Sequence, residues 1–415
     1  MIEFRDYQKD IIKRGKDILY DYEFLYLAME VRTGKTLTSL GIVSLVKEEE
    51  GGVENVLFLT KKKAISSIES DYEALNPSYN LHVINYESIH KIPDLNWDFI
   101  ICDEAHGLGA FPKASKRAKQ VRDILNKTDA WVILLSGTPT PESYSQMYHQ
   151  LYGIYNNPFR KYKNFYRFAD DYVNVKQRKM NGLVINDYSD GAQRIIDDVK
   201  PYTISYTQVE AGFKVDTREH VLRVQASDKI HKICNRLKRD LVVEGKDNVI
   251  LADTPVKLMQ KLHQLYSGTV KFESGDSMVI DYTKAEFIRK RFKDKKIGIF
   301  YKFKQELNAL KKVYGTELTV ELDEFNSTDK SIALQIVSGR EGISLRQADA
   351  LVYYNIDFSA TSYWQSRDRM TTKDRLESDV YWVFTDGGIE KDIYKAVTKK
   401  KDYTLRHFKR DLLSL

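Results

Sequence analysis

The sequence has little cysteine: Cys102 and Cys234 are the only two in 415 residues. Two isolated thiols build neither a disulfide framework nor a zinc site. They suit a reducing compartment, so the chain is expected in the cytoplasm, or in a host's cytoplasm if phage-encoded. With eight prolines and 21 glycines there is no Pro/Gly/Ser-rich linker, no low-complexity tract and no short-period repeat. Long apolar runs are also missing. Trp131 to Leu135 is among the longest and is far too short to cross a bilayer. The opening MIEFRDYQKD lacks the apolar stretch of a secretory signal. Neither sign of charge dominates; a net +6 is compatible with a polyanionic partner and says little more. What remains, 42% hydrophobic and 30% charged, describes a globular chain with room for two or three domains.

Short apolar runs alternate with helical patterns. Phe24–Leu27, Val56–Thr60, His82–Asn85, Phe99–Cys102 and Trp131–Leu135 are apolar on both faces, as strands of a buried parallel sheet are. Thr36–Glu50 and Ser115–Asn126 carry helical periodicity between them. A second set follows at Ile297–Phe300, Leu318–Leu322, Ala333–Val337, Leu351–Asn355 and Val380–Phe384. The pattern predicts two α/β domains, 1–215 and 216–415, each with helices on both faces of a parallel sheet. An insertion at about 142–215 closes the first domain. It holds a Tyr/Phe stripe at 144–168, expected to be core, and an Asn181-Gly182 turn between two β-like runs, the strongest short hairpin signal. After about Val221 a helical stretch is expected through Leu262.

Three strand ends carry candidate chemistry. AMEVRTGKT (28–36) lies between the run FLYL and a helical stretch. A Gly34-Lys35-Thr36 turn there aims backbone N–H groups and a helix dipole at a phosphate. Lys35 would reach β/γ-phosphates and the Thr36 hydroxyl would bind Mg²⁺. FIICDEAH ends a second strand with Asp103-Glu104, where one carboxylate can hold Mg²⁺ and the other can orient a water. WVILL ends in SGTPT, whose Ser136 and Thr138 could sense a γ-phosphate. His106 alone reads as structural. Each signal is modest by itself; the three together, in this order, point to ATP with Mg²⁺.

These motifs, with their flanks, resemble superfamily-two helicases of the DEAH-box type and, within them, the Swi/Snf-type DNA translocases. FRDYQKD (4–10) resembles the family's glutamine motif, which implies Gln8 as adenine reader. The phosphate loop is similar, lacking the first glycine of the G-x-x-x-x-G-K-[ST] pattern, with Met29 in its place and Arg32 and Thr33 before Gly34. NVLFLTKK and VINYES look like nucleic-acid-contacting motifs, implying Lys61, Lys62 and Tyr86. VSGREGISLRQADALVYYNIDFSATSYWQSRDRM resembles the longest second-domain segment, implying Gly342 and Gln365 at the nucleotide and Arg369 as an arginine finger. Thr372 stands where the family's second arginine is usual, Ser344 replaces an asparagine and Phe358 a tryptophan.

The resemblance implies two RecA-like lobes, ATP and Mg²⁺ as cofactors, and a DNA-dependent ATPase that steps along duplex DNA. The chain is short for the family, like phage and prokaryotic forms, and is expected to be a monomer without membrane association. A strand-separating DNA or RNA helicase and a decayed ATPase that only binds DNA stay open as alternatives. Strand ends and the hairpin offer cations for a phosphate track: Lys61–Lys63, Lys302, Lys304, Arg340, and Lys176, Arg178 and Lys179.

Overall fold

A computed structural model describes residues 3–180, 183–212, 216–245, 248–336, 345–357 and 377–399. The chain divides into two compact units, Met1–Gly212 and Phe213–Lys399. Each is built on a six-stranded sheet.

In the first unit the strands are β1 (Phe24–Met29), β2 (Asn55–Thr60), β3 (Asn80–Asn85), β4 (Phe99–Cys102) and β5 (Trp131–Leu135). A hairpin of β6 (Lys176–Met180) and β7 (Leu183–Asp187) follows, then β8 (Thr203–Tyr206). The sheet order is β3-β2-β4-β5-β1-β8, and every pairing is parallel. Successive residues of β1 face opposite sides. Phe24, Tyr26 and Ala28 join one apolar layer, and Leu25, Leu27 and Met29 the other. Helix α1 (Asp6–Tyr22) and helix α2 (Lys35–Glu50) pack on the second layer through Ile11, Leu19, Leu40 and Val43. The aromatic stripe is core, as expected: Tyr148, Phe159, Phe165, Phe168 and Tyr172 are buried on the first layer. At about 1.5–3 kcal/mol for each large apolar side chain removed from water, this insertion is a main cohesive element of the unit.

The second unit begins with β9 (Asp216–Val224). Two small antiparallel ribbons follow: β10 (Val242–Glu244) with β11 (Val249–Leu251), and β12 (Thr269–Lys271) with β13 (Ser277–Val279). Then come β14 (Ile297–Tyr301), β15 (Leu318–Thr319), β16 (Ser331–Gln335), β17 (Ala350–Tyr353) and β18 (Glu377–Thr385). The sheet order is β15-β16-β14-β17-β18-β9, again parallel throughout. Both units are thus RecA-like parallel α/β lobes.

Two expectations need correction. The stretch from Val221 to Leu262 is not one helical run: it comprises the end of β9, a helix Asp228–Asp240, the β10–β11 ribbon and a helix Pro255–Tyr266. The run Leu318–Leu322 is a strand for two residues only and turns helical at Leu322. The charged β9 and the short β8 lack the continuous apolar signature of buried strands, because each pairs at a sheet edge. The hairpin forms with Met180 opposite Leu183; its Asn181-Gly182 turn lies outside the described residues.

Candidate active site

Parallel register brings the motifs together. Leu27 pairs with Leu135 and Cys102 with Leu134. The residues that follow β1, β4 and β5 therefore emerge side by side at the carboxyl edge of one sheet. In open parallel sheets this edge is where ligands sit.

The loop after β1 is held from below and from the side. Gly34 caps α2 with φ 77°, and Arg32 also adopts positive φ, 64°. A side chain at position 34 would be blocked, since its Cβ would lie 2.5 Å from Gln8 Nε2. Gln8 is only 5% exposed. Its Oε1 accepts from the Arg5 N–H at 3.0 Å, and its Nε2 donates toward Gly34 O at 3.4 Å and Thr38 Oγ1 at 3.3 Å. The Tyr7 hydroxyl donates to Thr33 O at 3.0 Å, and the Tyr7 ring stacks on Tyr206 at 4.6 Å. Thr33 is buried, its hydroxyl donating to Glu30 O at 2.7 Å. Lys35 and Thr36 follow in the first turn of α2.

At the end of β4, Asp103 is 8% exposed. Its Oδ2 accepts from Thr60 Oγ1 at 2.9 Å. Its Oδ1 is buried with no hydrogen-bond partner among the described residues. Burial, and then the neighbouring Glu104 carboxylate, push the Asp103 pKa up to about 6, while the Lys35 ammonium pulls it back. Lys35 and Asp103 thus feel each other electrostatically. A buried carboxylate oxygen with no donor is costly unless a ligand completes it. It suits a hard cation such as Mg²⁺, which takes one or two protein carboxylates and draws its remaining oxygens from phosphate and water. No cluster of three or more His, Cys, Asp or Glu suited to a metal occurs among the described residues.

His106, read from sequence as structural, links two motifs. It is 8% exposed. Its Nδ1 lies 3.3 Å from Glu104 Oε2 and 3.0 Å from Ser136 Oγ. Ser136 Oγ in turn accepts from the Thr138 N–H at 3.1 Å, and the Thr138 hydroxyl is buried without a partner among the described residues. A Cβ at Gly137 would sit 3.4 Å from both Met29 O and Val31 N, so the turn after β5 lies against the phosphate loop. Glu104 itself has φ 50°, a strained conformation that turns its side chain back toward this chain of contacts. A lone histidine gave no sequence signal, and its link to Ser136 is visible only in the fold.

Other expected contacts fall elsewhere. Tyr86 does not offer its ring to a ligand: it is 3% exposed, its hydroxyl donates to Asp103 O at 2.6 Å, and Arg117 covers the ring at 4.8 Å. It is a strut beneath the acidic strand end. Lys302 pairs with Asp357 at 2.7 Å and so braces two strand ends of the second unit. Lys176 pairs with Asp190 at 2.7 Å on an exposed face. Lys62 and Lys63 are exposed after β2, beside the half-buried Lys61. The side chains of Arg178 and Lys179, and all of Arg340, Gly342, Gln365, Arg369 and Thr372, lie outside the described residues.

A family model for the SNF2-related domain matches residues 28–273, more than half of the chain. The chain belongs to this family. Its SNF2-related segment spans all three strand-end motifs and runs into the second unit. Among solved structures the chain is similar to the SWI2/SNF2 ATPase core of Sulfolobus solfataricus in complex with dsDNA. The identity is 14%, over 99% of this chain and 94% of that one, with a TM-score of 0.44. It is also similar to the ATPase core domain from the same organism, at 15% identity over 97% and 89%, with a TM-score of 0.44. No curated protein matches the chain. Among the described residues of this SNF2-related chain, no helix is long and apolar enough to cross a membrane.

Proposed function

We propose that the protein is a DNA-dependent ATPase that couples ATP hydrolysis to movement along duplex DNA. The observation that carries the nucleotide site is the buried, unpartnered Asp103 Oδ1 at the sheet edge where Lys35 opens α2 and acts on it electrostatically. Lys35 binds the β/γ-phosphates, and the Thr36 hydroxyl with Asp103 holds Mg²⁺, which neutralises phosphate charge. Glu104 positions the attacking water. Gln8 has both amide ends engaged, so it ties the loop to α1 and presents whatever amide edge remains to the base. The Glu104–His106–Ser136–Thr138 chain reports the state of the phosphate site to the turn after β5. Gln365, Arg369 and Gly342 keep the roles implied by the family, Arg369 stabilising charge on the transferred phosphoryl group. Membership of the SNF2-related family supports duplex DNA as the track.

The test is ATP turnover measured in parallel without nucleic acid and with duplex DNA, single-stranded DNA and RNA, together with a triplex-displacement assay. Stimulation chiefly by duplex DNA with displacement of the third strand is expected. Turnover indifferent to every nucleic acid would sink the coupling, and no turnover at all would leave a DNA-binding module. Replacing Arg369 with Ala should cut stimulated turnover by at least about 10²-fold.

A further inference from the structure

The opposite edge of the first sheet holds a depression that the proposed activity does not use. A cavity of about 880 Å³ is lined by residues at the amino ends of β2, β4 and β5, among them Val53, Trp97 and Trp131. A second, of about 390 Å³, shares Thr128 and Asp129 with it. The two adjoin through these residues and make one trough at the amino ends of the strands, the opposite edge of the sheet from Lys35 and Asp103.

Two features define what it would accept. Its floor is aromatic: Trp131 meets Tyr20 edge-on at 5.4 Å and Phe99 at 5.6 Å. Tyr20 and Leu95 are 38% and 39% exposed, and both line the trough. Its carboxylates are Glu50, Asp94, Asp98, Asp123 and Asp129 in the larger cavity and Glu23 in the smaller, against Lys127 as the one lining cation among the described residues. Asp98 serves the backbone, accepting from Glu54 N–H and Asn55 N–H, and Asp123 pairs with Arg122. Asp94 and Asp129 remain exposed on the rim. Lys16 lies over the Tyr20 ring and Lys47 donates to Val53 O beside the floor, and Asn156 donates to Glu23, yet the lining itself carries more carboxylates than cations. It repels a nucleic acid backbone and attracts a cation. Two adjoining cavities of about 880 and 390 Å³ offer more room than a single cationic side chain fills.

We infer that this trough docks a basic peptide segment of a partner protein, with Lys or Arg along the rim and an aromatic or long aliphatic side chain anchored against Trp131 and Leu95. Buried aromatic anchors ringed by complementary charge are the usual source of affinity in such contacts.

The test uses a phage-displayed library of random dodecapeptides selected on the full-length chain and counter-selected on the double variant Asp94→Lys, Asp129→Lys. Enriched peptides should combine Lys/Arg with Trp, Phe or Leu. By fluorescence anisotropy they should bind at least about tenfold more weakly to the double variant, to Leu95→Asp, and in high salt. Both variants change exposed side chains and should keep the wild-type melting curve. The readout is peptide binding, so it stands apart from nucleotide turnover, whose failure would strike only the proposed function. Failure to enrich any peptide that separates wild type from the double variant, or enrichment of acidic or uncharged peptides, would overturn the inference. So would equal binding of peptides stripped of their apolar residue, since charge alone would then account for capture.

Discussion

Two buried carboxylates stand at strand ends of the two units, and they differ in one respect. Asp103 after β4 has one oxygen bonded and one open. Glu306, just beyond β14, has neither open: Oε2 accepts from Lys302 N–H at 2.7 Å and Phe303 N–H at 2.9 Å, and Oε1 accepts from Asn355 Nδ2 at 2.5 Å. Asn355 Oδ1 meets His263 Nε2 and accepts from Ile356 N–H at 2.8 Å. Burial raises both carboxyls above their usual range. Burial and a raised pKa are thus common to both; what sets Asp103 apart from Glu306 is an unspent acceptor at the sheet edge where the phosphate loop emerges. The saturated network pins the exits of β14 and β17, and the open carboxylate waits for a ligand.

The largest effect that could break this contrast is on turnover. Lys35→Ala should lower ATP hydrolysis by on the order of 10³-fold, about 4 kcal/mol in the transition state. Glu104→Gln should stall hydrolysis yet keep nucleotide affinity in equilibrium binding, since Asp103 still holds the cation. If nucleotide affinity collapsed equally in both variants, the two roles would not be separable.

Next comes stability of the second unit. Asn355→Ala leaves both the Glu306 carboxylate and the His263 ring short of a partner and should cost about 3 kcal/mol in urea unfolding. Nucleotide affinity should barely change. A neutral effect on unfolding would place Glu306 and Asp103 in the same class after all.

A smaller effect depends on pH. Burial, aided by Lys302, lowers the His263 pKa to about 4. The unfolded chain then takes up a proton near pH 6.5 that the folded chain refuses, so stability is full above about 6.5 and drains as pH falls toward 4. Glu306 pulls the other way, because its raised pKa favours the folded state as pH drops. Comparing wild type with His263→Gln isolates the histidine: the variant should lose about 2 kcal/mol less than wild type between pH 7 and pH 5. Parallel pH curves for the two proteins would show that His263 takes up its proton as readily in the fold as in the unfolded chain.

The smallest effect tests the hairpin. Replacing Lys176, Arg178 and Lys179 with Ala should flatten the salt dependence of DNA binding, by at most roughly 0.9 in slope for each phosphate that the hairpin no longer neutralises. Lys176 is already paired with Asp190, so its share should be the least. An unchanged slope would return the hairpin to ordinary solvated surface.

The strands that carry chemistry were legible because they are buried on both faces. FIIC and WVILL can hardly be anything but core, and their ends place Asp103 and Ser136 at the carboxyl edge of the sheet. Lys35 was legible from a glycine that the turn demands. What sequence hid were partnerships. Tyr86 looked like a contact residue until its hydroxyl met Asp103 O, and Lys302 until it met Asp357. His106 gained meaning only when Ser136, thirty positions away, closed on it. The edge strands β8 and β9 escaped because they lack a continuous apolar signature, and the pattern near Val221 read as helix instead.

The placement of β9 bears on how the chain is made. Its sole neighbour in the sheet, among the described residues, is β18, nine residues against nine, and the two lie roughly 160 residues apart in sequence. The first unit can close around β1 before the second is half synthesised. At about 5–20 residues per second, β9 emerges from the ribosome roughly 10–30 s ahead of its partner. Throughout that wait it is a bare ribbon of unmet amides. Its side chains suit the interval: Arg218, Glu219 and Arg223 break the strand with charge and discourage adhesion between nascent chains.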